Sequence, residues 1–318
     1  MANAPVSHEA RNTGHAGVAG DENGKRDPAQ SYPRPRIKIR YEIGGRAFPL
    51  PLVRGAIGGE PTWMLVDTGA NSHVIAGWLA RKAKLDTKNF GDQGTDHAGH
   101  AIVTSRVDRS QITVDGWGAL PDAPTLVTEI PEAVARIGIG AFLSPQQLAT
   151  SGRGTALVLD LARGEMYATD SAQAPAELEG KGADPFTVAA RICEDRASPI
   201  RGLAFVVPAK IEGADVSLLL DTGAHRSDLL AGTPAARRLM PRSIPNREQV
   251  YAASGKLSTR TVRGAKVHVG AHTSVTDVDI IPGESDPSCP RDGVLAMDIL
   301  KSCIVIFDRS TVLGRCLP

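Results

Sequence analysis

Trp63-Met64-Leu65-Val66-Asp67-Thr68-Gly69-Ala70 and Ser217-Leu218-Leu219-Leu220-Asp221-Thr222-Gly223-Ala224 are two versions of one phrase. Each is an apolar run, short enough for a buried strand, that ends in an acidic Asp-Thr-Gly turn. The two aspartates stand 154 residues apart, and further landmarks recur at nearly that offset. A stretch able to form a short helix follows each, Ile75 to Ala83 and Pro234 to Leu239. Ile137-Gly138-Ile139-Gly140 ends 73 residues after Asp67, and Gly293-Val294-Leu295-Ala296 ends 75 after Asp221. Apolar strands closing on an aspartate come next, Ala156 to Asp160 and Ile304 to Asp308, and a turn role is expected for both aspartates. Self-similarity at one long offset indicates a structural unit used twice. The expectation is an all-β chain of two pseudo-symmetric, β-barrel-like lobes.

Outward from the repeat, Ile37 to Ile43 alternates apolar and polar residues and reads as a strand with one buried face. Residues 1–35 are rich in Gly, Ala, Asn, Asp and Pro and carry no hydrophobic period, so they are expected to be disordered. The stretch 171–185 has no strand signal and is expected to link an N-terminal lobe, 36–170, to a C-terminal lobe, 186–318.

The chain has 318 residues, enough for two cores. Its 36 basic and 35 acidic residues leave a net charge of +1, with no basic patch suited to a phosphate backbone, so nucleic acid is not an expected partner. No run is long and apolar enough for a membrane span, and the N-terminus lacks a secretory-signal pattern. Cys193, Cys289, Cys303 and Cys316 include no Cys-x-x-Cys pair, which argues against zinc. They are read either as two disulfides within the C-terminal half or as four buried thiols. In the first case, with a signal removed, an extracytoplasmic (periplasmic or secreted) location follows.

Two carboxyl groups held at hydrogen-bonding distance cannot both ionise; one keeps a proton and the other gives its proton up. Such a pair can take a proton from water and give one to a carbonyl oxygen, which is what amide hydrolysis by water needs. Asp67 and Asp221 are the one titratable pair with matching surroundings in both halves. Thr68 and Thr222 offer hydroxyls that can bond the backbone of the opposite loop. Gly69 and Gly223 allow close approach, and Ala70 and Ala224 leave room for a bound chain.

Two hydrophobic residues, Asp-Thr-Gly-Ala, and a later pair of hydrophobic residues before glycine form a pattern that resembles the retropepsin and pepsin clan of aspartic peptidases over residues 37 to 318. The resemblance implies two β lobes with a peptide-binding cleft between them, a peptide or protein substrate, and catalysis by Asp67 and Asp221. Thr68, Gly69, Thr222 and Gly223 match its supporting positions. No cofactor or metal is implied, and a monomer is expected because both catalytic lobes lie in one chain. Ala296 departs from the expected glycine, and its methyl is expected to shift Asp221 slightly.

Glycine-containing turns suit a flap in each half, 95–101 and 251–257, with Gly99 lying 32 residues after Asp67 and Gly255 lying 34 after Asp221. Paired flaps favour a retropepsin-like single-chain arrangement, with His97, Gly99, Tyr251, Ser254, Gly255 and His225 as candidate cleft residues. His97 and His100 have no partner cluster and read as a solvated loop rather than a metal site. His225 and Arg226 either line the cleft and lower the pKa of the pair or lie on the surface. A peptide-binding protein with the same two-lobed cleft and no turnover is the alternative reading.

Overall fold

The computed structural model describes residues 35–95, 101–149, 155–179, 185–195, 200, 202–246, 250–252 and 255–317. Each half begins with a long hairpin. Arg46–Ile57 pairs antiparallel with Glu60–Val66, and Gly202–Ile211 pairs with Ala214–Leu220. The connecting pairs, Gly58-Gly59 and Glu212-Gly213, all have positive φ. That conformation gives a two-residue hairpin the twist its strands need, and it recurs at the repeat offset.

From these hairpins the same path of strands is built twice. In the first half Glu60–Val66 lies parallel to Ile139–Leu143, which is antiparallel to Val74–Ala76; that strand is parallel to Thr125–Thr128, which is antiparallel to Ala101–Val107. In the second half Ala214–Leu220, Gly293–Leu295, Asp228–Leu230, His272–Ile281 and Arg260–Val269 repeat the order with the same senses. The fold is thus all-β and two-lobed, as the repeat implies.

A third sheet of six strands is assembled from both halves, in the order Ile37–Lys38, Glu165–Asp170, Thr155–Asp160, Cys303–Asp308, Thr311–Cys316 and Phe186–Ala189. Its central pair, Leu157 opposite Phe307 and Leu159 opposite Val305, joins the lobes. Leu157, Leu159, Val305 and Phe307 are buried in the main core with Val53, Leu79, Phe205 and Leu220. Phe205 meets Phe307 edge to face, with ring centroids 5.0 Å apart. No helix among the described residues is long and apolar enough to cross a membrane.

The expectations for the first strand and the first helix need revision. The strand expected over residues 37–43 is two strands. Ile37–Lys38 joins the six-stranded sheet and Arg40–Ile43 turns back on Arg46–Ile57, while the Ile39 N–H bonds Gly164 O at 2.8 Å between them. Ile37 and Ile39 stay buried, so the alternation survives the change of sheet. Val74–Ala76 is strand, as its β-branched residues prefer, and the helix occupies Gly77–Lys82. The second expected helix spans Pro234–Leu239, capped by the Thr233 hydroxyl. Within 171–185, Ala174–Leu178 is a 3₁₀ turn that packs Ala174 and Leu178 against Ala156, Val158, Ile304 and Ile306.

The equivalence of Gly140 and Ala296 is also corrected. Leu143 pairs with Val66 and Leu295 with Leu220, so the residues that follow, Ser144 and Ala296, are the true counterparts. Gly140 sits at a bulge in its strand, where a Cβ would lie 2.5 Å from both Leu79 Cδ2 and Thr62 Oγ1. Neither lobe has glycine at the position that was expected to require it.

Candidate functional site

Apolar strands carry both Asp-Thr-Gly loops to the seam between the lobes. The Asp67 N–H bonds Leu143 O and the Asp221 N–H bonds Leu295 O, each at 2.9 Å, so the strand parallel to each loop fixes where it begins. Within each loop the aspartate folds back on its own backbone. Asp67 Oδ1 accepts from the N–H groups of Gly69 and Ala70 at 2.9 and 3.0 Å. Asp221 Oδ1 accepts from those of Gly223 and Ala224 at 2.8 and 3.0 Å.

The loops are locked to each other by their threonines. Thr68 Oγ1 donates to Leu220 O at 2.8 Å and accepts from the Thr222 N–H at 3.0 Å. Reciprocally, Thr222 Oγ1 donates to Val66 O at 2.6 Å and accepts from the Thr68 N–H at 3.1 Å. Both threonines are buried, so these four bonds are made without competition from water.

Glycine is required by what lies above it. A Cβ on Gly69 would be 2.4 Å from Asp221 Cγ, and one on Gly223 would be 2.5 Å from Asp67 Cγ. Each carboxyl therefore rests against the other lobe's glycine, which brings the two carboxyl groups together at the seam. Burial, and next the Asp221 charge, push Asp67 up to about 8, against the pull of the Gly69 and Ala70 N–H groups. The arrangement can hold one proton between two oxygen-rich groups over a wide pH range.

Each loop is also braced from behind. His73 Nδ1 accepts from the Ser144 N–H at 3.0 Å, and Ser227 Oγ accepts from the Ala296 N–H at 3.0 Å. These acceptors stand six residues after their aspartates. Burial lowers His73 to about 4, which suits a ring nitrogen that must keep its lone pair. Ser227 passes the contact on, its hydroxyl donating to Asp298 Oδ1 at 2.7 Å, while the Thr276 hydroxyl donates to Asp298 Oδ2 at 2.9 Å. The Ala296 methyl packs with Ala204, Val206, Leu219, Cys289 and Val294. Asp221 keeps the 2.9 Å anchor that Asp67 has, so the expected displacement by that methyl is absent.

Of the other residues singled out in the sequence, His225 is exposed and Arg226 faces Asp279 at 3.8 Å. His97, Gly99, His100 and Ser254 lie outside the described residues. The arms of both flap candidates are strands: Thr87–Thr95 with Ala101–Val107, and Val250–Ala252, which carries Tyr251, with Gly255–Leu257. His73, Gln146, Ser227 and Asp298 escaped the sequence reading, although extending the repeat past the loops at its offset of 154 would have found the pair His73/Ser227. Asp228, buried beside Asp221 and Asp279, has its carboxyl raised by burial and then by those two charges. Among the described residues no group of three or more His, Cys, Asp or Glu could hold a metal. The cysteines form two disulfides, Cys193–Cys289 and Cys303–Cys316.

A family model described as Aspartyl protease matches residues 53–141 and 207–299, which together exceed half of the chain. No curated protein matches. Solved structures similar to this chain include an aspartic proteinase from Irpex lacteus, at 10% identity and a TM-score of 0.48, covering 89% of this chain and 97% of that one. They also include basic 7S globulin from soybean, at 11% identity and a TM-score of 0.45, covering 89% of this chain and 94% of that one.

Proposed function

The chain belongs to the aspartyl protease family, and from that membership we propose that it is an endopeptidase in which Asp67 and Asp221 activate water against a peptide bond. The observation that carries this reading is the reciprocal seating of the two carboxyls, each against the other lobe's glycine and each held by two backbone N–H groups. In the single-proton state the ionised carboxyl takes a proton from water as the water oxygen attacks the carbonyl carbon. The protonated carboxyl gives its proton to the carbonyl oxygen. Collapse of the resulting gem-diol, with a proton passed to the leaving nitrogen, breaks the C–N bond and restores the shared proton. Asp67, raised to about 8, keeps one proton on the pair from acidic conditions to near neutrality.

Both catalytic loops come from one chain, which supports action as a monomer. The two disulfides favour an extracellular compartment. Incubation with a mixed peptide library across pH tests the proposal. Cleavage products are expected from the wild-type protein, and none from Asp67→Asn or Asp221→Asn. Peptide retention without any product from the wild type would replace this reading with that of a silent peptide-binding protein.

A further inference from the structure

The two lobes differ at one buried position beside the loops. In the second lobe the Met297 N–H bonds Ala224 O at 3.1 Å. Register places Pro145 at the equivalent point of the first lobe, two residues beyond Leu143 as Met297 is beyond Leu295. Proline has no N–H, so that lobe lacks the backbone donor its partner uses for the carbonyl of the loop alanine. Gln146 supplies it instead. Its fully buried side-chain amide lies with Nε2 2.9 Å from Ala70 O, 3.1 Å from Thr68 O and 2.8 Å from Leu203 O of the other lobe. Its counterpart, Asp298, turns to Ser227 and Thr276.

The bond to Thr68 O acts on the reacting pair through one peptide plane. Thr68 C=O and Gly69 N–H belong to the same trans peptide and point in opposite directions. A donor on the oxygen fixes the plane so that the N–H faces Asp67 Oδ1, where it stands at 2.9 Å, and polarises that N–H into a stronger donor. We propose that Gln146 is a positioning residue of the first catalytic loop, which replaces the N–H missing at Pro145 and aims the Gly69 N–H at Asp67. The proposal rests on the peptidase reading for its kinetic consequence alone; the effect on Asp67 is a property of the folded chain. At the counterpart position the Asp298 carboxyl is engaged by Ser227 and Thr276, so the side chains at 146 and 298 serve the two loops differently.

The test is the titration of the Asp67 and Asp221 carboxyl carbons, followed by ¹³C NMR in the full chain and alongside kinetics. In Gln146→Met, which fills the space without a donor, the Gly69 N–H stabilises the Asp67 anion less. The apparent pKa of the pair then moves up by about half a unit, and kcat falls about two- to tenfold with little change in KM. Pro145→Ala combined with Gln146→Met returns a donor to Ala70 O but none to Thr68 O. That double variant is expected to recover stability and to keep the displaced titration, which a residue serving only as support would not do. Wild-type titration in either variant overturns the proposal. A displaced titration in a protein whose wild type cleaves nothing leaves Gln146 in this role and removes the peptidase reading.

Discussion

Replacing Thr222 by valine isolates what the threonine lock contributes, because valine keeps the shape of the side chain and deletes its two hydrogen bonds. The Val66 carbonyl loses a donor at 2.6 Å and the Thr68 N–H loses an acceptor at 3.1 Å. The site is buried at the centre of the seam, so neither group recovers a bond to water without parting the loops. An unpartnered buried backbone group costs about 1–3 kcal/mol, and two of them, with some relaxation, cost about 2–4 kcal/mol. Thr222→Ser keeps the hydroxyl and loses one buried methyl, a change of about 1 kcal/mol. Urea unfolding can be followed by the fluorescence of Trp63, Trp78 and Trp117, all in the first half, and by far-UV circular dichroism. Coincident transitions justify a single free energy. Thr68→Val combined with Thr222→Val is expected to cost about 1 kcal/mol less than the two single changes added, since the first to break already lets water between the loops. The reasoning is refuted if Thr222→Val costs under about 0.5 kcal/mol, or if Thr222→Ser costs as much as Thr222→Val.

Gly69→Ala puts a methyl where the Asp221 carboxyl now lies, 2.4 Å from Cγ, and a displacement of that size is expected to lower kcat by about a hundredfold, read in the peptide assay. His73 has its pKa lowered to about 4 in the folded chain, so between there and the ordinary value the unfolded chain binds the extra proton. Its contribution to stability, up to about 3 kcal/mol, is present above pH 6.5 and is lost as pH falls towards 4. His73→Asn, which keeps an acceptor for the Ser144 N–H, is expected to flatten that part of a stability–pH curve. Asp67 behaves in the opposite sense: its raised pKa makes the folded chain bind more protons, so stability falls as pH rises from 3.8 to about 8. Asp67→Asn is therefore expected to exceed the wild type in stability at pH 8 by about 1 kcal/mol or more, measured by denaturant titration. Cys193–Cys289 closes a separation of 96 residues, and Cys289→Ser is expected to lower stability by about 4–5 kcal/mol, checked against reduced wild type.

The parts of the site that were legible in the sequence are those whose signal is local. Asp-Thr-Gly follows its strand directly, and each glycine, 69 or 223, stands two residues after its own loop's aspartate, although the carboxyl it faces belongs to the other loop. Pro234–Leu239 carries its own threonine cap and is legible for the same reason. Gln146 was not legible, because its three carbonyl partners lie 78, 76 and 57 residues away and a buried glutamine has no periodic signature. Gly140 misled the alignment of the halves: it offered a plausible glycine for a bulge and hid the equivalence of Ser144 with Ala296. The six-stranded sheet depends on pairings such as Leu157 with Phe307, which no short-range pattern encodes. The cysteine pairing likewise required the register that sets Cys303 opposite Cys316.

The central pairing of Thr155–Asp160 with Cys303–Asp308 has a consequence for symmetry. Two identical subunits meeting at a dyad must carry every substitution twice, so a change useful on one side and harmful on the other cannot be kept. Joining the copies in one polypeptide, with their closing strands woven into a common sheet, removes that constraint. Position 146 can then hold glutamine while 298 holds aspartate, and 145 can hold proline while 297 has an amide hydrogen. One polypeptide thus replaces a palindrome with a sentence that has a direction, and a peptide bound as proposed, which has a direction of its own, would meet two different halves.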